Sequence, residues 1–130
     1  MDELKVTKIL KNDLGFSDSS IEKIKKFNNN LLEYNKSYNL ISKSTENNIW
    51  YRHILDSAQI IKFIDFSKHN ILADFGSGAG FPGLILALYD GNSSFHVKLY
   101  EKSSVKRDFL KKLKIHLDLK NITVENNVYE

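Results

Sequence analysis

The spacing of hydrophobic residues changes about halfway along the chain. Up to residue 66, apolar side chains recur every three or four positions, which is the spacing of helices that bury one face. From residue 71 onward, short continuous apolar runs alternate with helical spacing, which is typical of parallel strands covered on both faces. We therefore predict a helical cap over residues 1–66 and an α/β unit over residues 67–130, packed together as one structural domain.

Two amphipathic helices are predicted at the start of the cap. The first covers residues 2–14 and is ended by Gly15. The second begins at a capping box, in which the side chains of Ser19 and Glu22 each accept a backbone N–H. Asparagines 28–30 lie inside this second helix, and we place them on its solvent-facing side because asparagine is a poor helix former.

A loop and a third helical stretch complete the cap. Residues 34–44 interrupt the apolar spacing and predict a loop, after which Ser44 or Thr45 can cap the next helix. That helix carries the polar cluster Arg52, His53, Asp56 and Ser57. His53 and Asp56 are one turn apart, so they either face a site from the cap or form a local hydrogen-bonded pair. We favour the local pair over a catalytic role.

The second half predicts three strands separated by two helices. The strands cover residues 71–75, 95–100 and 122–124. Pro82 begins the first helix, where proline is best tolerated, and Ser103 or Ser104 caps the second. The order β-α-β-α-β predicts a parallel sheet.

The first of these strands is apolar as if it had neighbours on both sides, yet the other two strands lie on one side of it only. We therefore predict the front portion of a longer α/β fold, truncated after its third strand. As an edge, residues 71–75 would favour dimerisation or aggregation, so the oligomeric state stays open.

Composition narrows the class of protein. A chain of 130 residues with 42% hydrophobic residues suits one domain, and the absence of cysteine excludes disulfides and thiolate metal sites. We expect a cytoplasmic protein without a membrane partner, since there is no secretory leader and no apolar run near the roughly 18 residues of a membrane span. A net charge of +3 is compatible with an RNA partner without demanding one.

A glycine-rich loop follows the first strand, in the sequence Asp74-Phe75-Gly76-Ser77-Gly78-Ala79-Gly80-Phe81-Pro82-Gly83. Glycines allow the backbone to turn sharply and to approach a ligand closely. Between a strand and a helix, such a loop is expected to direct backbone N–H groups at a ligand above the carboxyl end of the strand.

The details of the loop favour a sulfonium cofactor over a dinucleotide. Phe81 occupies the third glycine position of the dinucleotide fingerprint G-x-G-x-x-G. Asp74 suits a ligand that carries an ammonium and a sulfonium, whereas a carboxylate is awkward beside a pyrophosphate. Glu101 ends the second strand, where it can accept hydrogen bonds from a ribose diol. The alternatives are that Asp74 is a buried acid capping backbone N–H groups and Glu101 a surface acid.

The loop, with its continuation Phe81-Pro82-Gly83, resembles that of the RsmG/GidB family. Members of this family are bacterial methyltransferases that act on guanine N7 of small-subunit ribosomal RNA. Three further segments resemble family elements: Tyr38-Asn39-Leu40, the run Arg52-His53-Ile54-Leu55-Asp56-Ser57, and Leu99-Tyr100-Glu101 with the following Lys106-Arg107 and Phe109-Leu110. The resemblance covers nearly the whole chain.

This resemblance implies a Rossmann-like fold that binds S-adenosylmethionine and transfers its methyl group to RNA, with no DNA partner. The cofactor-binding residues that we predict are Asp74, Gly76, Ser77, Gly78, Phe81, Glu101, Tyr129 and Glu130. The resemblance places Glu101 at the ribose, and Tyr129 and Glu130 at the adenine. It also implies that family members continue beyond this region for several more strands.

The chemistry implied by the resemblance needs little from side chains. Guanine N7 carries a lone pair and is unprotonated near neutral pH, so no general base is required and we name no catalytic residue and no metal. The protein has to align the reacting atoms and exclude water. The alternative is a truncated remnant that binds the cofactor without catalysis, and a dehydrogenase half is disfavoured by Phe81 and Asp74.

Overall fold

A computed structural model describes residues 2–91 and 94–126 of the chain. Two helices open the cap, α1 (Glu3–Asn12) and α2 (Asp18–Asn35). The sheet unit holds the helices α4 (Gly83–Ala87) and α5 (Ser104–His116) and the strands β1 (Ile71–Phe75), β2 (His96–Tyr100) and β3 (Ile122–Glu125). An α/β architecture with a parallel sheet is therefore confirmed, and the predicted bounds of the three strands differ from these by one residue at most.

The second helix begins earlier than the capping box predicts. Its N-cap is Ser17, whose hydroxyl accepts the N–H of Ser20 at 3.0 Å, so the prediction of Ser19 as the cap is wrong. Two contacts fix Ser17 in this position. The preceding Phe16 is buried in the core, and the Asp90 carboxylate accepts hydrogen bonds from the Ser17 hydroxyl and N–H.

Two further differences between the structure and the prediction in α2 involve asparagine residues. Asn28 is buried, so placing it on the solvent-facing side was wrong, although Asn29 is exposed as predicted. The helix also continues through Asn35, two residues into the predicted loop. The Asn35 side chain accepts the N–H groups of Leu40 and Ile41 at 2.8 and 3.0 Å and donates to Glu46 at 2.9 Å. Asn35 thus ends the helix and orders the loop that follows.

The third helical stretch of the cap is irregular. It consists of a 3₁₀ segment (Lys43–Asn48), a π-helical segment (Trp50–Leu55), one α-helical turn designated α3 (Asp56–Ala58) and a second 3₁₀ segment (Gln59–Phe63). The stretch is preceded by Ser42, so Ser44 and Thr45 lie within its first turn instead of capping it. Wide π-helical turns rotate successive side chains away from α-helical spacing and are frequent at functional sites.

The strands run parallel in the order β1-β2-β3. Phe75 pairs with Tyr100, and Tyr100 pairs with Glu125, so the carboxyl ends of the three strands meet at one edge of the sheet. Pro82 directly precedes α4 and does not lie within it, since the helix begins at Gly83.

The helices cover one face of the sheet. Val97 and Leu99 on that face are fully buried, whereas on the opposite face Ile71 is 58% exposed and Phe75 is 66% exposed. One hydrophobic cluster includes residues of the cap and of the sheet unit. Phe27 of α2 contacts the rings of Phe81 and Phe109, with ring centroids 5.3 and 6.4 Å apart, so the cap packs directly on the glycine loop and on α5.

Within residues 2–91 and 94–126, no helix is long and apolar enough to span a membrane.

Candidate cofactor site

The glycines of the loop have two different structural roles. Gly76, Gly78 and Gly80 have positive φ angles of 78°, 56° and 111°, which L side chains rarely adopt. A Cβ built on Gly76 would meet no atom within 4 Å, and one on Gly78 only the Gly76 carbonyl oxygen at 4.0 Å. A Cβ on Gly80 would lie 3.2 Å from the Leu84 Cβ. Gly76 and Gly78 therefore border open space, whereas Gly80 is packed against the protein.

The N–H groups at the start of the loop point inward. Gly76 and Ser77 donate to the Tyr100 carbonyl oxygen at 2.8 and 3.1 Å, and Gly78 donates to Glu101 Oε1 at 2.7 Å. The sequence had predicted that these groups converge on a ligand, which is wrong for all three. The register that pairs Phe75 with Tyr100 brings the end of β2 within reach of the loop, and its acceptors take up these donors.

Asp74 lies on the covered face of β1 and is 8% exposed. Its Oδ2 accepts the N–H of Gly83 at 3.0 Å, at the start of α4. A Cβ on Gly83 would lie 2.6 Å from that oxygen and 2.5 Å from Leu99 Cδ2, so the close contact requires glycine. Asp74 thus makes the backbone-capping contact that the sequence left open as its alternative. Its contact with a ligand stays a prediction.

The environment of Asp74 disfavours its charged form. Burial raises the pKa of this carboxyl above its ordinary value of 3.8, and the nearby Glu101 carboxylate adds to the rise. Hydrogen bonds from Gly83 and Ser77 act against the rise. The Asp74 and Glu101 carboxyl groups both lie under the loop, where a bound cation would favour their charged forms and a phosphate would oppose them.

Glu101 is 9% exposed, so the alternative of a surface acid is wrong. Its two oxygens accept from different backbone segments, Oε1 from Gly78 and Oε2 from Ser103 at 2.9 Å. The carboxylate thereby ties the glycine loop to the start of α5. Each oxygen retains a further lone pair with which it can accept from a ligand hydroxyl.

Ser77 and Phe81 are turned toward the protein. Ser77 is 1% exposed, and its hydroxyl donates to the Asp74 carbonyl oxygen at 3.1 Å, so only its backbone can border a ligand. The Phe81 ring stacks on the His53 ring at 4.8 Å with an interplanar angle of 21°. This stack joins the π-helical segment of the cap to the glycine loop.

His53 brings an unused polar atom to the loop. Its Nε2 is buried and has no hydrogen-bond partner among the described residues. Burial lowers the pKa of His53 below its ordinary 6.5, with Asp56 opposing and Arg52 reinforcing the shift, so the ring is neutral near pH 7. A cleft of about 410 Å³ opens beside it, lined by Thr45, Tyr51, Arg52, His53 and Asp56.

Arg107 is a residue of the site whose role the sequence did not predict. Its guanidinium donates to the carbonyl oxygens of Glu101 and Lys102 at 3.0 and 2.5 Å. It thereby holds the turn that presents the Glu101 carboxylate. The sequence signal for this role is an arginine six residues after a strand-ending acid.

The described structure thus brings together six of the eight predicted cofactor residues, namely Asp74, Gly76, Ser77, Gly78, Phe81 and Glu101. Tyr129 and Glu130 lie outside the described residues.

Comparison with known proteins assigns the family. A family model described as rRNA small subunit methyltransferase G matches residues 20–130. Ribosomal RNA small subunit methyltransferase G of Magnetococcus marinus is 42% identical over 110 residues, which are 85% of this chain and 48% of that protein. The protein of that name from Pelagibacter ubique is 44% identical over 104 residues, 77% of this chain and 48% of that protein. The one from Borreliella burgdorferi is 36% identical over 111 residues, 84% of this chain and 52% of that protein.

The chain spans about half the length of the curated relatives it matches. The match begins at residue 20, near the start of α2, and includes the whole loop with Asp74 and Glu101. With the resemblance in the motifs confirmed in this way, the chain belongs to the rRNA small subunit methyltransferase G family.

Proposed function

We propose that this chain forms the S-adenosylmethionine-binding portion of an enzyme that methylates guanine N7 in small-subunit ribosomal RNA. The observation that carries the cofactor assignment is the inward direction of the N–H groups of Gly76, Ser77 and Gly78 above two buried carboxylates. A pyrophosphate needs free N–H donors and positive potential, whereas a ligand with a sulfonium and an ammonium is favoured by nearby negative charge.

The residues present fit this cofactor. Open space above Gly76 and Gly78 lets a ligand lie directly on the backbone, and the remaining lone pairs of Glu101 suit a ribose diol. Asp74 contributes negative potential from below and holds the loop through Gly83. Tyr129 and Glu130 are proposed to border the adenine, which follows from the family resemblance alone.

The proposed reaction requires this chain to position the cofactor and the guanine, and it does not require the chain to transfer a proton. S-adenosylmethionine supplies an electrophilic methyl group on a sulfonium, which the N7 lone pair of guanine can attack without losing a proton. The cleft beside His53 is the candidate route for the base, since the His53 ring stacks on Phe81 of the loop. A neutral His53 adds no positive charge there to oppose the cationic cofactor.

A methyl-transfer assay tests the proposed reaction. Small ribosomal subunits that lack the modification are incubated with radiolabelled S-adenosylmethionine and the chain joined to the unmatched half of the Magnetococcus marinus relative, and the RNA is digested to nucleosides. The proposal expects label in 7-methylguanosine. Label in any other nucleoside contradicts the proposed substrate.

The second candidate function is a cofactor-binding remnant without catalysis. The observations that favour it are the open space above Gly76 and Gly78 and the buried Glu101 carboxylate, which support cofactor binding without bearing on RNA. Binding of S-adenosylhomocysteine without any label in the RNA would identify this second function.

A further inference from the structure

A groove of about 310 Å³ runs between α2 and α5, and the proposed function makes no use of it. It is separate from the cleft beside His53, because no residue lines both. Six residues from its two sides define what we call the interhelical groove: Asn30, Tyr34 and Tyr38 from α2 and the turn after it, and Phe109, Lys112 and His116 from α5.

The two helices run in opposite directions along this groove. His116 Nδ1 lies 3.2 Å from Asn30 Oδ1. One turn away on each helix, Lys112 Nζ lies 5.2 Å from the centre of the Tyr34 ring. Residue numbers therefore rise along α2 as they fall along α5, and α5 begins beside Glu101. The end of the groove beyond Tyr34 thus lies toward the cofactor site.

At that end, Tyr38 presents an aromatic ring that the protein holds in place. The ring stacks on Tyr34 with centroids 4.8 Å apart, and Tyr34 in turn packs on Phe109 at 5.1 Å. The Tyr38 N–H donates to the Tyr34 carbonyl oxygen at 3.1 Å, and the Tyr38 carbonyl oxygen accepts the N–H of Leu40 at 2.9 Å. Tyr38 is nevertheless 45% exposed. A ring that is fixed before binding suits an unstacked base, because little conformational freedom is lost on stacking.

The opposite end of the groove is basic. Lys112 and His116 line it on α5. Lys26 and Lys23 continue the same face of α2, because they lie four and seven residues before Asn30. None of these three lysines forms an ion pair within residues 2–91 and 94–126. Their charges are therefore available to the phosphates of a bound strand.

We propose that the interhelical groove binds a single-stranded segment of RNA, with a base stacked on Tyr38 and phosphates bound by Lys112 and the lysines of α2. Aromatic platforms beside positive charge are the usual means of binding single strands. Glu33 also lines the groove, but its carboxylate is paired with Lys36 at 3.0 Å. That the strand is RNA rests on the proposed function, to which the groove adds a second contact surface outside the cofactor site.

An apolar helix of a partner protein fits the groove less well than an RNA strand does. Such a helix would cover Lys112 and His116, which are both exposed, and would offer them no hydrogen-bond acceptor. Burying polar groups without partners is costly.

Fluorescence anisotropy with a labelled single-stranded RNA of roughly 12 nucleotides tests the proposal on the 130-residue chain. Tyr38→Ala should weaken binding about fivefold or more, because one base–aromatic stack is lost. Tyr38→Phe should keep the affinity, since the ring remains. Phe63→Ala is the matched control. It removes a ring that is 85% exposed outside the groove, and it should leave the affinity unchanged.

The salt dependence of binding tests the role of Lys112. For single strands, each phosphate contact contributes about 0.7 to the slope of log affinity against log salt concentration. Lys112→Gln should reduce the slope by about that amount. Lys62→Gln should leave the slope unchanged, because Lys62 is exposed outside the groove. Since Lys112 is itself exposed, this test is independent of any effect of Tyr38→Ala on folding.

Three results would overturn the proposal: a wild-type chain that does not bind the RNA, a Tyr38→Ala variant that binds as tightly as the wild type, and equal losses of affinity for Tyr38→Ala and Phe63→Ala. Duplex RNA that binds as tightly as the single strand would also contradict it, because the bases of a duplex are already stacked. These measurements contain no cofactor. The groove can therefore fail the test while the cofactor titration succeeds, and the reverse.

Discussion

At the scale of single residues, the loop shows that glycines in one motif are required for different reasons. Gly76 and Gly78 border open space, whereas Gly80 and Gly83 are required by neighbouring protein atoms. The motif spacing predicts the loop but does not distinguish these roles, because the distinction depends on side chains of other elements, such as Leu99.

Gly76→Ala is predicted to lower both the folding stability of the protein and its affinity for the cofactor. The loss of affinity should exceed what the loss of stability accounts for. The left-handed backbone at Gly76 should cost alanine about 1–2 kcal/mol of folding stability. The added methyl group projects into the open space above the loop, so affinity for S-adenosylhomocysteine should fall by about tenfold or more, equivalent to at least 1.4 kcal/mol. Urea unfolding and calorimetric titration measure the two effects.

Gly15→Ala is the matched control for that substitution. Gly15 has φ 82°, close to the 78° of Gly76, and a Cβ there would meet only Tyr89 Cε1 at 3.9 Å. It should lose similar stability and keep full affinity. Equal affinities for the two variants would argue against a ligand above Gly76.

The buried Asp74 is predicted to make stability fall as the pH rises. Because burial raises the pKa of Asp74 in the folded state, the folded protein binds this proton more tightly than the unfolded chain does. The carboxyl therefore lowers the free energy of unfolding as the pH rises from 3.8 through the raised pKa. The stability of the wild type minus that of Asp74→Asn should decrease across this range, as measured by urea unfolding.

Asp65→Asn provides a control in which the contribution of the carboxyl to stability should change with pH in the opposite direction. Hydrogen bonds from the hydroxyl and N–H of Ser67 lower the pKa of Asp65, so its contribution is present above the unfolded pKa and is lost as the pH falls. The stability of the wild type minus that of Asp65→Asn should therefore increase with pH. If the corresponding difference for Asp74→Asn also increased with pH, the assigned buried environment of Asp74 would be wrong.

At the scale of elements, the strands were predictable and several helix ends were not. A continuous apolar run marks β1. In β2, polar and apolar residues alternate, and Val97 and Leu99 lie on the buried face. The cap at Ser17 was missed because its partner, Asp90, lies 73 residues away in the sequence. The His53 stack on Phe81 was missed for the same reason, since propensity and spacing carry no information on contacts between distant elements.

Asn35→Ala is predicted to destabilise the cap. The substitution removes the acceptor for the N–H groups of Leu40 and Ile41, which should cost about 2–3 kcal/mol because Leu40 is buried. Asn29→Ala, at an exposed site of the same helix, should change stability by no more than about 0.5 kcal/mol. Urea unfolding compares the two, and similar costs would show that Asn35 does not order the loop.

At the scale of the whole molecule, the cap and the sheet unit share one hydrophobic cluster. Phe27 joins them through its contacts with Phe81 and Phe109. The sequence predicted both parts from the different spacing of their hydrophobic residues. The residues that join the two parts could not be identified from spacing alone, because the core residues of both are hydrophobic.

This shared cluster predicts a single unfolding transition. Trp50, the sole tryptophan, is nearly buried in the cap and reports on that part, whereas far-ultraviolet circular dichroism reports on the whole chain. The two signals should give the same urea midpoint, and Phe109→Ala in the sheet unit should shift both. Separate midpoints would show that the cap and the sheet unit fold independently.

The loop above Asp74 and Glu101 is proposed to bind the S-adenosyl cofactor of a methyltransferase, and calorimetric titration of the chain tests this most directly. S-adenosylhomocysteine and NAD are titrated separately into the 130-residue protein under identical conditions. We expect saturable, one-to-one binding of S-adenosylhomocysteine and no binding of NAD. Micromolar binding of NAD without binding of S-adenosylhomocysteine would contradict it.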